Sequence, residues 1–385
     1  MMIIQNGLVF DAIHPPRRAD IRVDGARIVE IGESLPVHGA EVVDASGLRV
    51  LPGFVEAHGH ISLDGWGIGY EGQDYNEKND IVSPQLRAID AIQPMDPALK
   101  HAREAGVTCL NVGPGSANVL GGTFAAIKPV GVRVDDMCVK AETAMKCAFG
   151  ENPKRLYRDS ADSSRMTTAA KLRELLFRAR EYAEKLELSR DDTKLKPAFD
   201  MKLHALLPVI RGEMPLKAHA HQANDLFTAL RIAREFGVGI TLEHVTEGHL
   251  IVDELAKEHV MLAVGPTLTH ATKFELQNKS WTTPGVLAKA GCHVSIITDS
   301  PVIPQEYLPL CAGLAVKAGM DPHEALRAIT INPAEHIGIA DRVGSLEPGK
   351  DADILLVDGD PFEVSARMRY VFINGRNVLG GAATR

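Results

Sequence analysis

The chain has 385 residues, enough for one large domain and a smaller one, and its hydrophobic content of 45% is ordinary for a globular protein. Its 42 basic and 50 acidic residues leave a formal charge of −8 with no long basic run, which argues against nucleic acid as a partner. No apolar stretch is long enough to span a bilayer, the opening MMIIQNGLVFDA is no signal peptide, and five dispersed cysteines (Cys109, Cys138, Cys147, Cys292, Cys311) suit reduced, mostly buried thiols, so a cytoplasmic protein with no membrane partner is expected.

Residues 1–50 read as short strands and turns, with Asp24-Gly25 as a hairpin signal between two alternating runs. Residues 51–60, LPGFVEAHGH, form a short apolar strand that ends in His58 and His60. Side chains alternate along a strand, so these two imidazoles point the same way and can serve one metal ion. Within 61–95, the acidic and aromatic run DGWGIGYEGQDYNEKND (64–80) is a candidate rim. A helix follows at 96–106, then a strand at 107–113. The next segment, GPGSANVLGG (113–122), is Gly-rich; its backbone, with Ser116 and Asn118 as donors, suits either an anionic substrate group or a tight structural loop.

Further strand-like runs lie at 124–130, 144–149, 215–220, 239–244, 260–266 and 292–299. Amphipathic helices fall between several of them; in 168–186, Leu172, Leu175, Leu176, Ala179, Ala183 and Leu186 follow helical spacing. With 51–57 counted first, the βα alternation predicts an α/β fold built on a (β/α)8 TIM-like barrel. A doubly wound sheet would want a Gly-x-Gly-x-x-Gly after its first strand, and none is present. The C-terminus returns to strands and turns, with Asn374-Gly375 as a second hairpin signal. The two β-rich ends are expected to meet in a small β-sandwich made of 1–52 and 338–385, leaving 53–337 as the barrel.

Metal-competent residues sit at the ends of these strands: His58 and His60, Lys146, His219, His244 and Asp299. In a barrel the C-terminal strand ends share one mouth, so these distant positions would surround one small volume. Imidazole and carboxylate suit zinc and similar divalent ions, and a bound cation lowers the pKa of its water from 15.7 to about 7, giving hydroxide near neutral pH. Asp299 can touch the metal and accept the attacking water's proton. Lys146 could join only as a free amine that has taken up carbon dioxide to become a carbamate; Lys140 and Glu142 compete for that role.

PGFVEAHGH resembles the strand-one motif of the amidohydrolase superfamily, metal-dependent hydrolases built on a (β/α)8 barrel, with Glu56 where the family usually has Asp. AMKCAF resembles the segment around the carboxylated lysine of the isoaspartyl dipeptidase and dihydroorotase branches, which favours Lys146. KAHAHQAND resembles the strand-five segment of imidazolonepropionase and prolidase-like members; there the first histidine is the ligand, which maps onto His219 and leaves His221 facing substrate. LEHVTEGH, ITDSPVIP and GSLEPGKDADILLVD match later segments, and the resemblance runs from about residue 1 to 380. It is narrowest to an imidazolonepropionase-related group, in which Ser300 stands where a histidine is common.

The resemblance implies one or two divalent ions, zinc foremost, and a small-molecule substrate with an amide-type C–N bond, cyclic or dipeptide-like, cleaved by hydroxide formed at the metal. It also allows a homo-oligomer. Two alternatives stand beside this reading: deamination of a heterocycle on one metal, and a barrel that binds metal without catalysis. His270 is expected as a plain loop histidine, Glu151 and Arg155 after strand four in a surface ion pair rather than at a charged substrate end, and His101, His204, His249, His293, His323 and His336 in solvated or packing roles.

Overall fold

In the computed structural model, which describes residues 1–67, 69–157, 163–190 and 192–379, the chain opens with five strands, β1 (Met2–Val9), β2 (Arg17–Asp24), β3 (Arg27–Gly32), β4 (Glu41–Asp44) and β5 (Arg49–Pro52). The Asp24-Gly25 signal marks the β2–β3 turn, where Asp24 pairs with Arg27 and Gly25 takes φ +57°. The middle of the chain supplies β6 (Phe54–Gly59), β7 (Val107–Val112), β8 (Leu120–Thr123), β9 (Ala125–Ile127), β10 (Cys138–Lys140), β11 (Met145–Ala148), β12 (Leu216–Ala220), β13 (Ile240–His244), β14 (Met261–Val264) and β15 (His293–Ile296). The end returns with β16 (Ile354–Asp358), β17 (Arg367–Ile373) and β18 (Arg376–Asn377).

Both termini enter one sheet, in the order β18-β17-β16-β5-β1-β2-β3, with β4 also beside β1. The antiparallel β5–β16 pair, Leu51 opposite Leu355, joins the two ends of the chain. Ile4, Ile21, Val50, Ile354 and Phe372 gather in a core of their own. The strands form a single hydrogen-bonded sheet rather than the two packed sheets expected of a β-sandwich.

β11 to β15 form a parallel ladder in sequence order. Parallel neighbours need long crossovers, and the helices Arg165–Leu188, Ala223–Phe236, Val252–Glu258 and Thr283–Lys289 provide them. The first begins at a capping box on Ser164 and Thr167 and buries Leu172, Leu175, Leu176 and Ala179, the predicted stripe. No helix among the described residues is long and apolar enough to cross a membrane.

The third stave departs from the expected βα pattern. β8 and β9 are one run broken at Phe124; β9 pairs antiparallel with β7, and β8 antiparallel with β11. The cause is the short connection: from Val112 to Leu120 the chain has no room for a crossover helix, so it can only double back.

The barrel is also not closed by a ladder between β6 and β15. Instead Ile296 N–H bonds to Ala328 O and Val55 N–H to Ile329 O, both at 2.8 Å. Glu56 stitches the same seam from β6. Its Oε2 accepts from Thr298 N (2.9 Å), Thr298 Oγ1 (2.6 Å) and Gln305 Nε2 (2.9 Å), while Oε1 accepts from His58 N (3.0 Å). Complete burial pushes the Glu56 carboxyl up to about 7 although these donors favour its charged form. Glu56 thereby ties the His58 strand to the segment that carries Asp299.

Candidate metal centre

The ends of β6, β11, β12 and β13 and the segment after β15 deliver the predicted ligand residues to one pocket. On β12 the alternation in Lys217-Ala218-His219 places Lys217 and His219 inside while Leu216, Ala218 and Ala220 face the outer core. On β6 the pairing with β7 is irregular between Glu56 and Gly59, which turns His58 inward although Val55 and Ala57 already belong to an interior cluster. On β13, Glu243 and His244 are adjacent yet both face the site, because His244 and Val245 take φ of +75° and +48°. Asp299, at φ +54°, is likewise held in an unusual backbone conformation.

The predicted ligand residues converge. The ring of His58 lies 5.3 Å from that of His60 and 5.0 Å from that of His244; His244 lies 4.3 Å from His219 and 4.6 Å from His221. His58, His244 and Asp299 each offer a ligand atom within 4.8 Å of the others, as do His219, His221 and His244. Lys146 Nζ stands 3.1 Å from His58 Nε2. Its competitors lie elsewhere: Lys140 bonds to Gly338 O, and Glu142 pairs with Arg87 at 3.4 Å.

His58, His60, His219, His221 and His244 are each held by Nδ1. Carbonyl oxygens can only accept, so His60 Nδ1–H donates to Gly113 O (2.7 Å) and His244 Nδ1–H to Gly265 O (2.9 Å). His58 Nδ1 meets Glu243 Oε2 at 2.9 Å, His219 Nδ1 meets Ser116 Oγ at 2.8 Å, and His221 Nδ1 meets Thr246 Oγ1 at 2.7 Å. His60 Nε2 lies 3.2 Å from Asp299 Oδ1, a carboxylate oxygen. With the neutral ring two acceptors face each other at that distance, an arrangement that a cation bound between them would satisfy. His219 Nε2, His244 Nε2 and Asp299 Oδ1 are buried without a hydrogen-bond partner. Inward lone pairs backed by oxygen on the outer nitrogen are the arrangement that metal-ligating histidines adopt, so this donor set fits a divalent cation.

The electrostatics agree. Burial, with the Lys146 charge beside it, drives His58 well below its ordinary value, and burial holds His244 at about 4, so both rings are neutral and able to ligate at neutral pH. Burial raises the Asp299 carboxyl, but the positive charge that His244, His60 and His58 carry when protonated outweighs burial and holds it below its ordinary value. Burial lowers the Lys146 amine to about 8. The Phe124 ring, fully buried, has the Lys146 and Lys217 ammonium groups each 5.5 Å from its centre and His58 at 5.1 Å.

Of the other predicted residues, Ser116 orients His219, and Asn118 Nδ2 donates to Asp80 O (2.6 Å). Glycines in the same segment allow close packing: a Cβ on Gly113 would lie 2.2 Å from the Phe124 ring and one on Gly122 2.3 Å from Leu86 O. The 64–80 run contributes Tyr75, whose ring lies 5.5 Å from His60, and lines with Pro114 and Gly121 a cavity of about 680 Å³.

Five residues escaped the sequence reading. Glu275, fully buried, places Oε1 3.6 Å from His219 Nε2 and 3.5 Å from His221 Nε2, paired to Lys273 at 2.5 Å. Its Oε2 accepts from Glu151 N at 2.9 Å, so the loops after β11 and β14 are clasped over the pocket. Lys217 and His336 meet Glu243 at 2.8 and 2.9 Å. His336 therefore has a buried ionic neighbour rather than a plain packing role. The motif KAHAH carried a signal for Lys217, which alternation puts on the His219 face; nothing local to Glu275, Lys273 or His336 did.

Similarity to known proteins points the same way. An amidohydrolase tasK from Hapsidospora irregularis is 28% identical, covering 92% of this chain, which spans only 39% of that protein's length. An imidazolonepropionase from Desulfotalea psychrophila is 27% identical over 90% of this chain and 87% of its own. The crystal structure of an amidohydrolase from Thermotoga maritima MSB8 superposes with a TM-score of 0.95 at 38% identity, covering 98% of this chain and 99% of that one. Residues 147–378, which include Lys217, His219, His244 and Asp299, match the model of the amidohydrolase family, and the chain belongs to that family.

Proposed function

We propose that this chain is a metal-dependent hydrolase that cleaves an amide-type C–N bond in a small cyclic amide or dipeptide-like substrate. His58, His60 and Asp299 would hold one divalent cation, and His219 and His244 a second, with Lys146 bridging them once carboxylated; zinc suits such nitrogen and oxygen donors. A cation there supplies Lewis acidity, polarising a carbonyl and lowering the pKa of water from 15.7 to about 7. Asp299, ionised and with Oδ1 free of hydrogen bonds, takes the proton from the attacking water and returns it to the leaving nitrogen. His221, fixed by Thr246 at Nδ1 and with Nε2 3.5 Å from Glu275 Oε1, would stand on the substrate side, and the buried walls keep bulk water from the reacting groups. A cavity of about 680 Å³ lined by Tyr75, Pro114 and Gly121 lies beyond the residues that pack on His60 and Lys146.

The observation that carries this reading is the convergence of His58, His244 and Asp299, and of His219, His221 and His244, with ligand atoms within 4.8 Å of one another and His60 Nε2 facing Asp299 Oδ1 at 3.2 Å, a donor set that suits a divalent cation. The name of the Desulfotalea relative, imidazolonepropionase, fits the cyclic member of the substrate class. The position of Lys146 against His58 favours hydrolysis with a bridging lysine over deamination on a single metal. The test is metal analysis of purified protein combined with a turnover screen of cyclic amides and dipeptides. Stoichiometric metal and hydrolysis are expected, with Asp299→Asn about 10²–10⁴-fold slower. Absence of bound metal after reconstitution, or an Asp299→Asn variant with full activity, refutes it.

A further inference from the structure

Of the five imidazoles in the pocket, only His58 rests its Nδ1 on a carboxylate; His60 and His244 use backbone carbonyls, and His219 and His221 use hydroxyls. That carboxylate, Glu243, is saturated. Its Oε2 faces His58 Nδ1 at 2.9 Å and Lys217 Nζ at 2.8 Å, and its Oε1 faces His336 Nε2 at 2.9 Å and accepts from Thr241 Oγ1 at 2.7 Å. Lys217 Nζ also stands 3.2 Å from His336 Nε2. Glu243, Lys217, His58 and His336 are all buried. His336 comes from the helix Ile331–His336, which packs on β6 and β15 and so reaches the pocket from the open seam of the barrel.

We propose that Lys217 and His336 are positioning residues for metal binding, acting through Glu243 on His58. The inference rests on His58 being a metal ligand. A carboxylate can only accept, so His58 Nδ1 must donate to it and Nε2 must keep its lone pair toward the pocket. Lys217 balances the Glu243 charge in a dry interior, where an unpaired carboxylate would be costly. His336 and Thr241 fix the second oxygen, so the carboxylate plane cannot swing away from His58. Removing either cross-brace frees Glu243 to turn and His58 to take the other tautomer or another ring angle. The helix that fills the seam thereby controls a ligand on the strand it packs against.

The test uses the full chain, checked for folding by circular dichroism, with Co²⁺ as probe. Its affinity is measured by chelator competition and its ligand field by visible absorption. Lys217→Met and His336→Phe are expected to weaken Co²⁺ binding by about 10–100-fold and to shift the absorption bands. His336→Gln keeps a donor and is expected to restore affinity to within about threefold of wild type, well inside the 10–100-fold loss. A purely packing role would lower thermal stability and leave affinity and spectrum unchanged, which overturns the proposal, as does His336→Gln behaving like His336→Phe. Should Lys217→Met not fold, the His336 pair decides. His58→Ala separates the two levels: if it leaves Co²⁺ binding intact, the ligand reading itself falls and this inference with it; if it abolishes tight binding while the His336 variants bind normally, only this inference falls.

Discussion

Lys146 is where function and stability oppose each other most plainly. It is fully buried, and desolvation lowers its amine from 10.5 to about 8. The folded state therefore binds fewer protons than the unfolded chain between those values, and folding carries a penalty that is full below pH 8 and fades by pH 10.5. The difference converts to about 3 kcal/mol at pH 7. Lys146→Met removes that penalty and also removes the 3.1 Å contact with His58 Nε2, worth about 1 kcal/mol net. The metal-free Met variant should thus be about 2 kcal/mol more stable than metal-free wild type at pH 7, and about 1 kcal/mol less stable at pH 10.5, where only the lost contact remains. Urea unfolding of chelator-stripped proteins at pH 7, 9 and 10.5 reads both signs. A Met variant that is destabilised at pH 7, or a difference that does not move with pH, refutes the argument.

The glycine segment offers a paired test. Gly122 sits at φ +103° with Leu86 O 2.3 Å from where a Cβ would be, whereas a Cβ on Gly121 meets Pro114 and Lys146 at ordinary contacts of 3.4 and 3.6 Å. Gly122→Ala should cost about 3 kcal/mol and Gly121→Ala less than about 1; equal shifts in thermal midpoint contradict the close-packing account. The pH dependence of metal retention offers another. His244 stays neutral down to about pH 4 because it is buried, so protonation of this proposed ligand sets in only as pH falls through that value. Metal release with a midpoint near pH 6.5, as for a solvent-exposed imidazole, would contradict the burial argument.

Much of this architecture could be read from residues alone. The apolar runs marked most of the barrel strands but missed β8, which lies largely in the Gly-rich segment; the spacing of Leu172, Leu175, Leu176 and Ala179 marked the buried face of its helix, and His-x-His marked two side chains on one face, because periodicities of two and 3.6 are local properties of the backbone. The candidate ligands were legible for a related reason: in a parallel barrel every strand's C-terminal end opens on the same mouth, so position along a strand predicts a shared volume. Length also governs direction, and the short link from Val112 to Leu120 could have warned that the third stave runs antiparallel.

Three features were settled only when the strands came together. The seam between β6 and β15 is bridged by Glu56 and by residues 328–329, partners far apart along the chain. His244 faces the pocket beside Glu243 because a left-handed backbone at 244 and 245 breaks the alternation that would send it outward. The braces Lys217 and His336 and the clasp Glu275 meet their partners across strands and loops, with no pattern near them to announce it. Sequence thus determined which side chains could carry metal chemistry and on which strands. Tertiary structure decided where each ring nitrogen points, because that orientation is set by a hydrogen-bond partner on a different strand or loop.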